Sequence, residues 1–518
     1  MCDTAISENI CNKSNNLPPW RKRDTVFAAV TLICSILFVD LSLFGGFNAG
    51  FTASFVLLLA LTAAYMIKQR KSFGIFTIFC GLCSLGFSAI FAVYNDSELN
   101  LLFFIAAVVL YGIFAAGFFG NGKKSSPATS AVNTLIVAPF DNITVPFGSY
   151  GSYRRENNFK GVNKQVLAGL LLSVPILIAV FPLLMRSDIA FEGFVFSVFS
   201  GFGIFLLKIL LGALTAIYLF TMLFTLKNGL KPKNSDVSFY ESLKKLPPLT
   251  AVTLTLVLSA VYLMYLLSQS AYFFSGFSGI LPDGYSFTAA DYARRGFFEL
   301  CAVCGINFVT VTAVLHFVKR GENAAAPLSV RVSATLICAF SLVFTATAIS
   351  KMLLYIRLFG LTRLRLLTSI FMAATALLFI IITVSMYAKR FPAVKCAVCC
   401  FAVIGLIMGF CDVDRTVAGY NVNAYNSGVL KEIDVAYLGE LSDSAVPYIA
   451  ELTKSRDSKV KNAAYAALYE RTERLFEITD NKIRLNTASD LKEYNYSREN
   501  ARFVIRKNIK KIIGAERE

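Results

Sequence analysis

Eleven long apolar runs separated by short polar stretches dominate the chain up to residue 411. They lie at about 26–44, 47–67, 73–93, 99–119, 166–185, 194–224, 248–273, 295–318, 328–350, 366–388 and 394–411. Apart from the overlong 194–224 run, each is near the roughly twenty residues a helix needs to cross a hydrocarbon core. Beyond residue 411 the pattern changes. LSDSAVPYIAEL (441–452) and DSKVKNAAYAALYERTERLF (457–476) have polar starts and then apolar residues at helical spacing. SRENARFVIRKNIKKII (497–513) places Ala501, Val504, Ile505, Ile509 and Ile512 on one face and Arg498, Arg502, Arg506, Lys510 and Lys511 on the other. The pattern predicts an all-α fold: a polytopic transmembrane helical bundle of about eleven spans and a small C-terminal soluble α-helical domain. The expected divisions are a cytoplasmic segment 1–25, the bundle 26–411 and an extracytoplasmic helical tail 412–518 in which 441–452 and 457–476 form a HEAT-like helix pair. Such a pair does not bury its own face alone, so either further repeats follow it or it packs on the rest of the tail.

Composition agrees with the pattern. The 518 residues are 56% hydrophobic with 47 Phe, and mean hydropathy is +0.61, too apolar for a soluble domain. The net charge of +17 would suggest nucleic acid in a soluble protein, but its distribution excludes that partner. Up to Cys411 there are 32 Lys/Arg against 16 Asp/Glu, and after it 18 against 17. The excess therefore belongs to the loops of the bundle. Taken alternately, those loops carry 24 Lys/Arg on one side and seven on the other. Lys and Arg stay cytoplasmic, which puts the N-terminus inside. An odd number of spans then puts the tail outside. Residues 1–25 are polar, with Arg21, Lys22 and Arg23 before the first span and no small-residue cleavage pattern, so that span is expected to remain as an anchor.

Details of the runs add local expectations. The 120–165 connection has apolar pieces too short to span, broken by Pro139, Pro146 and Gly148, and reads as a loop lying across the bundle. Pro175 and Pro182 predict a kinked fifth span. Gly405 and Gly409 have the spacing of a close helix contact.

The candidate chemistry begins in TAADYARRGFFELCAVCGINFVTVTAVLHFV (288–318). Thr288 reads as a helix cap, and Asp291, Arg295 and Glu299 follow on one helix face. Glu299 falls about a turn inside the interface, where a lone carboxylate is costly, and Arg295 is its natural partner. Lys208 reads as lying mid-span, with Asp40 and Glu299 as its best acids. Lys351, Arg357, Arg363 and Arg365 crowd one outer connection, with Arg294 and Arg295 facing the same side. They are expected either to pair with Asp188, Glu192, Asp291 and acids of the tail, or to form an anion-binding surface for lipid head groups or phosphate-bearing envelope polymers. Cys80-x-x-Cys83, Cys301-x-x-Cys304 and Cys396-x-x-Cys399-Cys400 all fall within spans and read as packing residues, with only Cys83 and Cys304 sharing a depth. His316 is the single histidine, and no phosphate-cradling Gly loop, HExxH or GxSxG occurs. No catalytic residue, metal or cofactor is assigned.

YARRGFFEL (292–300), AGYNVNAYNSGVLKEIDVAYLGELSDSAVPYI (418–449) and DLKEYNYSRENAR (490–502) resemble the bacterial membrane-protein family catalogued as domain of unknown function 4173, related to 4153. The likeness runs from about residue 24 to 510. It implies a multi-pass protein of the bacterial cytoplasmic membrane with a helical tail, and carries over no catalytic residue. Three function classes stay open. One is a non-enzymatic envelope sensor or scaffold acting through residues 412–518 on an anionic envelope polymer or another envelope protein, with membrane lipids around the bundle. Another is a transporter or flippase for an anionic or lipid-linked small molecule. The last is a lipid-linked-sugar glycosyltransferase of the GT-C type, whose long first outer loop is here the short turn GGFNAG (45–50).

Overall fold

The computed structural model describes residues 17–66, 74–94, 98–119, 126–157, 173, 180, 202–230, 246–269, 297–320, 325–388, 390–479, 482–485 and 494–516. Among them, nine helices are long and apolar enough to cross a membrane, which fits a multi-pass membrane protein. The first is α1 (Lys22–Phe38), carried on by a π-helical turn over Val39–Leu43. The others are α3 (Ile75–Val93), α4 (Asn100–Phe118), α5 (Phe202–Asn228), α6 (Pro248–Gln269), α7 (Phe297–Phe317), α8 (Leu328–Phe359), α9 (Arg363–Tyr387) and α10 (Ala393–Cys411). Between α1 and α3 stands α2 (Ala49–Met66), whose apolar part is shorter than the other nine. The 166–185 run apart from residues 173 and 180, the start of the 194–224 run and the cap expected at Thr288 lie outside the described residues.

The chain divides into two compact units, residues 1–81 with 109–233 and residues 82–108 with 234–518. In the first, α1 and α5 form the principal helix pair. Gly212 allows their approach, since a Cβ there would stand 2.8 Å from the Ile36 Cα. The 126–157 segment is helical in short pieces, Pro127–Val132, Ala138–Asp141 and Val145–Glu156, with a π turn over Asn133–Val137. Pro127, Pro139 and Pro146 each occupy a first-turn position, where a missing N–H costs nothing. The π turn, Ala138–Asp141 and Val145–Glu156 pack against α5, and the Tyr218 hydroxyl donates to the Leu135 carbonyl at 2.5 Å.

In the second unit α7, α8 and α9 pack in succession, with α6 on α8 and α10 on α9. Gly405 and Gly409 face Phe87 and Ile90 of α3, and an added Cβ would stand 2.8 Å from the Phe87 ring at the first and overlap the Ile90 methyl at the second. α8 is longer than its apolar run. Its 32 residues span about 48 Å, so Lys351 and Arg357 belong to the helix and the connection to α9 is only 360–362. The tail continues as α11 (Val413–Asn426), α12 (Val435–Glu440), α13 (Val446–Leu452), α14 (Ser458–Leu475) and α15 (Tyr496–Glu516). α13 and α14 pack together, and α15 packs on α14. The sequence reading of the tail as helices alone missed an antiparallel hairpin, Phe476–Thr479 with Lys482–Leu485. FEIT and KIRL alternate apolar and polar residues, the strand period.

Candidate functional site

Two acids of α1 tie it to α5. Lys208 Nζ lies 2.6 Å from Asp40 Oδ1 and 4.9 Å from the centre of the Phe44 ring. Of the two acids considered for Lys208, Asp40 is the one it meets. Asp40 is the second residue of the π turn that carries on α1, so the pairing puts Lys208 near a helix end and not at mid-span. A second pair went unnoticed in the sequence because Asp24 reads there as a first-turn acid: Lys227 pairs with Asp24 Oδ1, which also accepts from the Tyr65 hydroxyl at 2.9 Å. Asp24 Oδ2 accepts the Arg21 N–H at 3.0 Å, and the residue is wholly buried. Asp24 and Asp40 are sixteen residues apart, about 24 Å along a helix, close to the thickness of a hydrocarbon core. The two pairs therefore bracket the span at its two ends.

The outer basic group divides. Arg363, first residue of α9, donates from Nε to Asp414 Oδ1 at 2.9 Å and from Nη2 to Asp414 Oδ2, a fork matched to a carboxylate. Its Nη1 meets Glu98 at 2.8 Å, and its backbone N–H donates to the Tyr437 hydroxyl at 2.8 Å. Asp414 is fully buried and also accepts the Ser442 N–H at 2.7 Å. Burial pushes the Tyr437 hydroxyl above its ordinary range. Arg365 turns back onto the end of α8, donating to the carbonyls of Phe359 (3.0 Å) and Gly360 (2.5 Å) with its guanidinium over the Tyr355 ring. It is a cap on a helix C-terminus. Lys351 is buried in α8, and the opposite charge acting on it is Glu299, an exposed residue of the first turn of α7. Arg357 is exposed. Asp291, Arg294 and Arg295 lie outside the described residues.

The tail reads the α8–α9 turn directly. Asn421 of α11 accepts the Leu361 N–H and donates to the Leu361 carbonyl, both at 2.7 Å. Gly360 makes this possible. Its φ is 76°, and a Cβ would stand 2.7 Å from the Asn421 oxygen. Asn495, just before α15, donates to the Phe91 carbonyl near the end of α3 at 3.1 Å. Sequence reasoning missed Asp414, Asn421 and Asn495, because polar residues in a polar tail carry no mark of burial. Beside this seam a cleft of about 390 Å³ is lined by Glu98, Thr362, Arg363, Tyr437 and Glu440.

The cysteines are free thiols among the described residues. Cys83 stands close to Cys399 of α10, a neighbour the sequence reading did not give it. Among the described residues no group of three His, Cys, Asp or Glu is placed to hold a metal.

A family model described as Domain of unknown function (DUF4153) matches residues 53–452. No curated protein and no solved structure matches the chain. The match takes in most of the chain, and the protein belongs to that family.

Proposed function

We propose that this family member is a non-enzymatic envelope scaffold or sensor. On this reading eleven spans carry a tail, 412–518, that stands outside the cytoplasmic membrane and holds an anionic envelope polymer or another envelope protein. The eleven are the nine long helices, α2 and the 166–185 run. The observation that supports the reading is the seam: Arg363–Asp414, Asn421–Leu361 and Asn495–Phe91 fasten the tail to the ends of α9, α8 and α3. A tail held this way moves with those helices, as a device that reports on a partner must. The seam also lies at the end of the bundle whose loops hold few Lys and Arg, which favours the outside.

A transporter or flippase is the second reading, favoured by the partly exposed Lys208–Asp40 pair. The glycosyltransferase reading weakens further, since Asp40 is engaged by Lys208 and followed by a short turn.

Two measurements test the scaffold. Lys454, exposed in the tail, is replaced by Cys and treated with a membrane-impermeant maleimide in intact cells and after permeabilisation, on a background lacking Cys411. Labelling of intact cells is expected, and labelling only after permeabilisation would place the tail inside. A photo-crosslinker at Lys454 or Lys459 should then give a discrete adduct in cells. Adducts no stronger than from a lipid-facing position such as Leu263 would sink the scaffold.

A further inference from the structure

The two faces of α15 meet different surroundings. Ala501, Ile505 and Ile512 are fully buried, and the helix packs on α13 and α14. The cations expected opposite them divide. Arg498 reaches Asp443 at 3.8 Å, and the buried Arg502 pairs with Glu499 at 2.6 Å, so both are used within the tail. Arg506, Lys507, Lys510 and Lys511 are exposed. Arg506 lies over the Phe476 ring at 5.8 Å, and among the described residues none of the four pairs with an acid. Cations in the last turn of a helix offset its dipole, but the last turn of α15 holds none, so the dipole does not account for these four.

The exposed face is also aromatic. Tyr496 is 52% exposed and Phe503 68%. Tyr496, Asn500, Phe503, Lys507 and Lys510 follow at i, i+4, i+7, i+11 and i+14, one continuous stripe, with Arg506 and Lys511 beside it. An aqueous polyanion would satisfy the cations but leave the Phe503 ring in water. The head-group layer of a membrane satisfies both, with phosphates for the cations and apolar carbons just beneath for the ring, while the lysine stems lie along the boundary. The stripe also starts at the right level. Tyr496 and Asn500 line a cleft with Tyr94, the residue after α3, and Asp412, the residue after α10. Asp412 caps α11 there, its Oδ1 accepting the N–H groups of Asp414 (3.1 Å) and Arg415 (3.3 Å). Asn495 holds the start of α15 on the Phe91 carbonyl, so the stripe begins where two spans end.

We propose that the exposed 496–511 face of α15 lies on the surrounding membrane. Its four cations bind the phosphates of anionic phospholipid head groups, and the Phe503 ring enters the uppermost acyl carbons. The tail is then attached twice, to helix ends through its seam and to lipid through α15. The inference goes beyond the scaffold reading. It does not rest on which side the tail occupies, because α15 meets whichever leaflet the ends of α3 and α10 reach.

The test uses the full chain in nanodiscs of phosphatidylglycerol or of phosphatidylcholine, with and without bromine on the acyl chains. Phe503→Trp adds an indole to the single native Trp20, and the parent in the same discs serves as the blank. Brominated chains are expected to quench the added emission about twofold in phosphatidylglycerol discs, and less in phosphatidylcholine. Adding Lys507→Gln/Lys510→Gln/Lys511→Gln should bring that quenching down to the phosphatidylcholine level with the melting temperature unchanged. Each cation near an anionic surface counts for about fivefold in binding. If Phe503→Trp fails to fold, native mass spectrometry decides: the chain with the three Lys→Gln changes should retain less phosphatidylglycerol than the parent, and equal retention overturns the proposal. An added indole untouched by brominated chains and open to aqueous acrylamide also overturns it, as does quenching that ignores head-group charge. So does an emission shift caused by soluble polyphosphate where brominated chains have no effect, which would assign the face to a free polymer. Failure of the maleimide labelling would leave the proposal standing.

Discussion

Two regions of this protein hold helices together with paired charge, and they do it differently. The α1–α5 pair is clipped by two acid–lysine contacts, Asp40–Lys208 and Asp24–Lys227, with the close approach at Gly212 between them. Each lysine is a point charge with freedom around its acid. The seam of the tail relies on an arginine fork and on side chains that bond backbone: Arg363 on Asp414, Asn421 on Leu361, Asn495 on Phe91. Forks and backbone bonds fix orientation as well as distance. The first device holds two helices together, and the second fixes how a tail sits on helix ends.

The largest effect is expected where a saturated, fully buried acid loses its arginine. Arg363→Leu should cost about 3 kcal/mol or more, because Asp414 is left charged in a dry site. Thermal unfolding of the purified protein, with limited proteolysis of the tail, measures it. The double change Arg363→Leu/Asp414→Leu should cost less than the two single changes summed. Additive losses would mean that the fork does not hold the seam.

Gly212→Val tests the other region. The new side chain meets the Ile36 backbone, and overpacking of this kind costs about 1–3 kcal/mol. A melting temperature equal to that of the parent would show that α1 and α5 are free to separate there.

Lys208→Met should cost less, about 1 kcal/mol, since both partners of its pair keep roughly a quarter of their side-chain exposure. Asp40→Asn should cost about the same, and the double change little more than either. If both singles leave stability untouched, the pair is not what clips that end of α1.

The smallest effect separates the cap at the seam from the pairs. Asp412 has its pKa raised in the folded protein by burial, so its contribution to stability is present at low pH and lost as pH rises through the folded value. Asn does not titrate. The stability of Asp412→Asn relative to the parent should therefore be greatest near neutrality and shrink as pH falls through the raised pKa towards the ordinary carboxylate range. A difference that is flat between pH 7 and pH 4 would show that Asp412 is not held against its charge.

The sequence by itself determined the class of the protein. Apolar runs near twenty residues fix membrane helices through length and hydropathy alone, and Gly405 and Gly409 marked a close contact because only small residues admit one. Helical spacing in 441–476 marked the α13–α14 pair for the same local reason. Lys208 and Arg363 also stood out, since charge amid apolar residues is visible in one dimension. Only the tertiary structure decided what those charges meet. Asp24, Asp414, Asn421 and Asn495 are ordinary polar residues in polar surroundings until folding removes their water. Lys227 and Asp24 are 203 residues apart, and Asn495 and Phe91 are 404. No local pattern carries a contact of that separation, because it is set by how the helices pack.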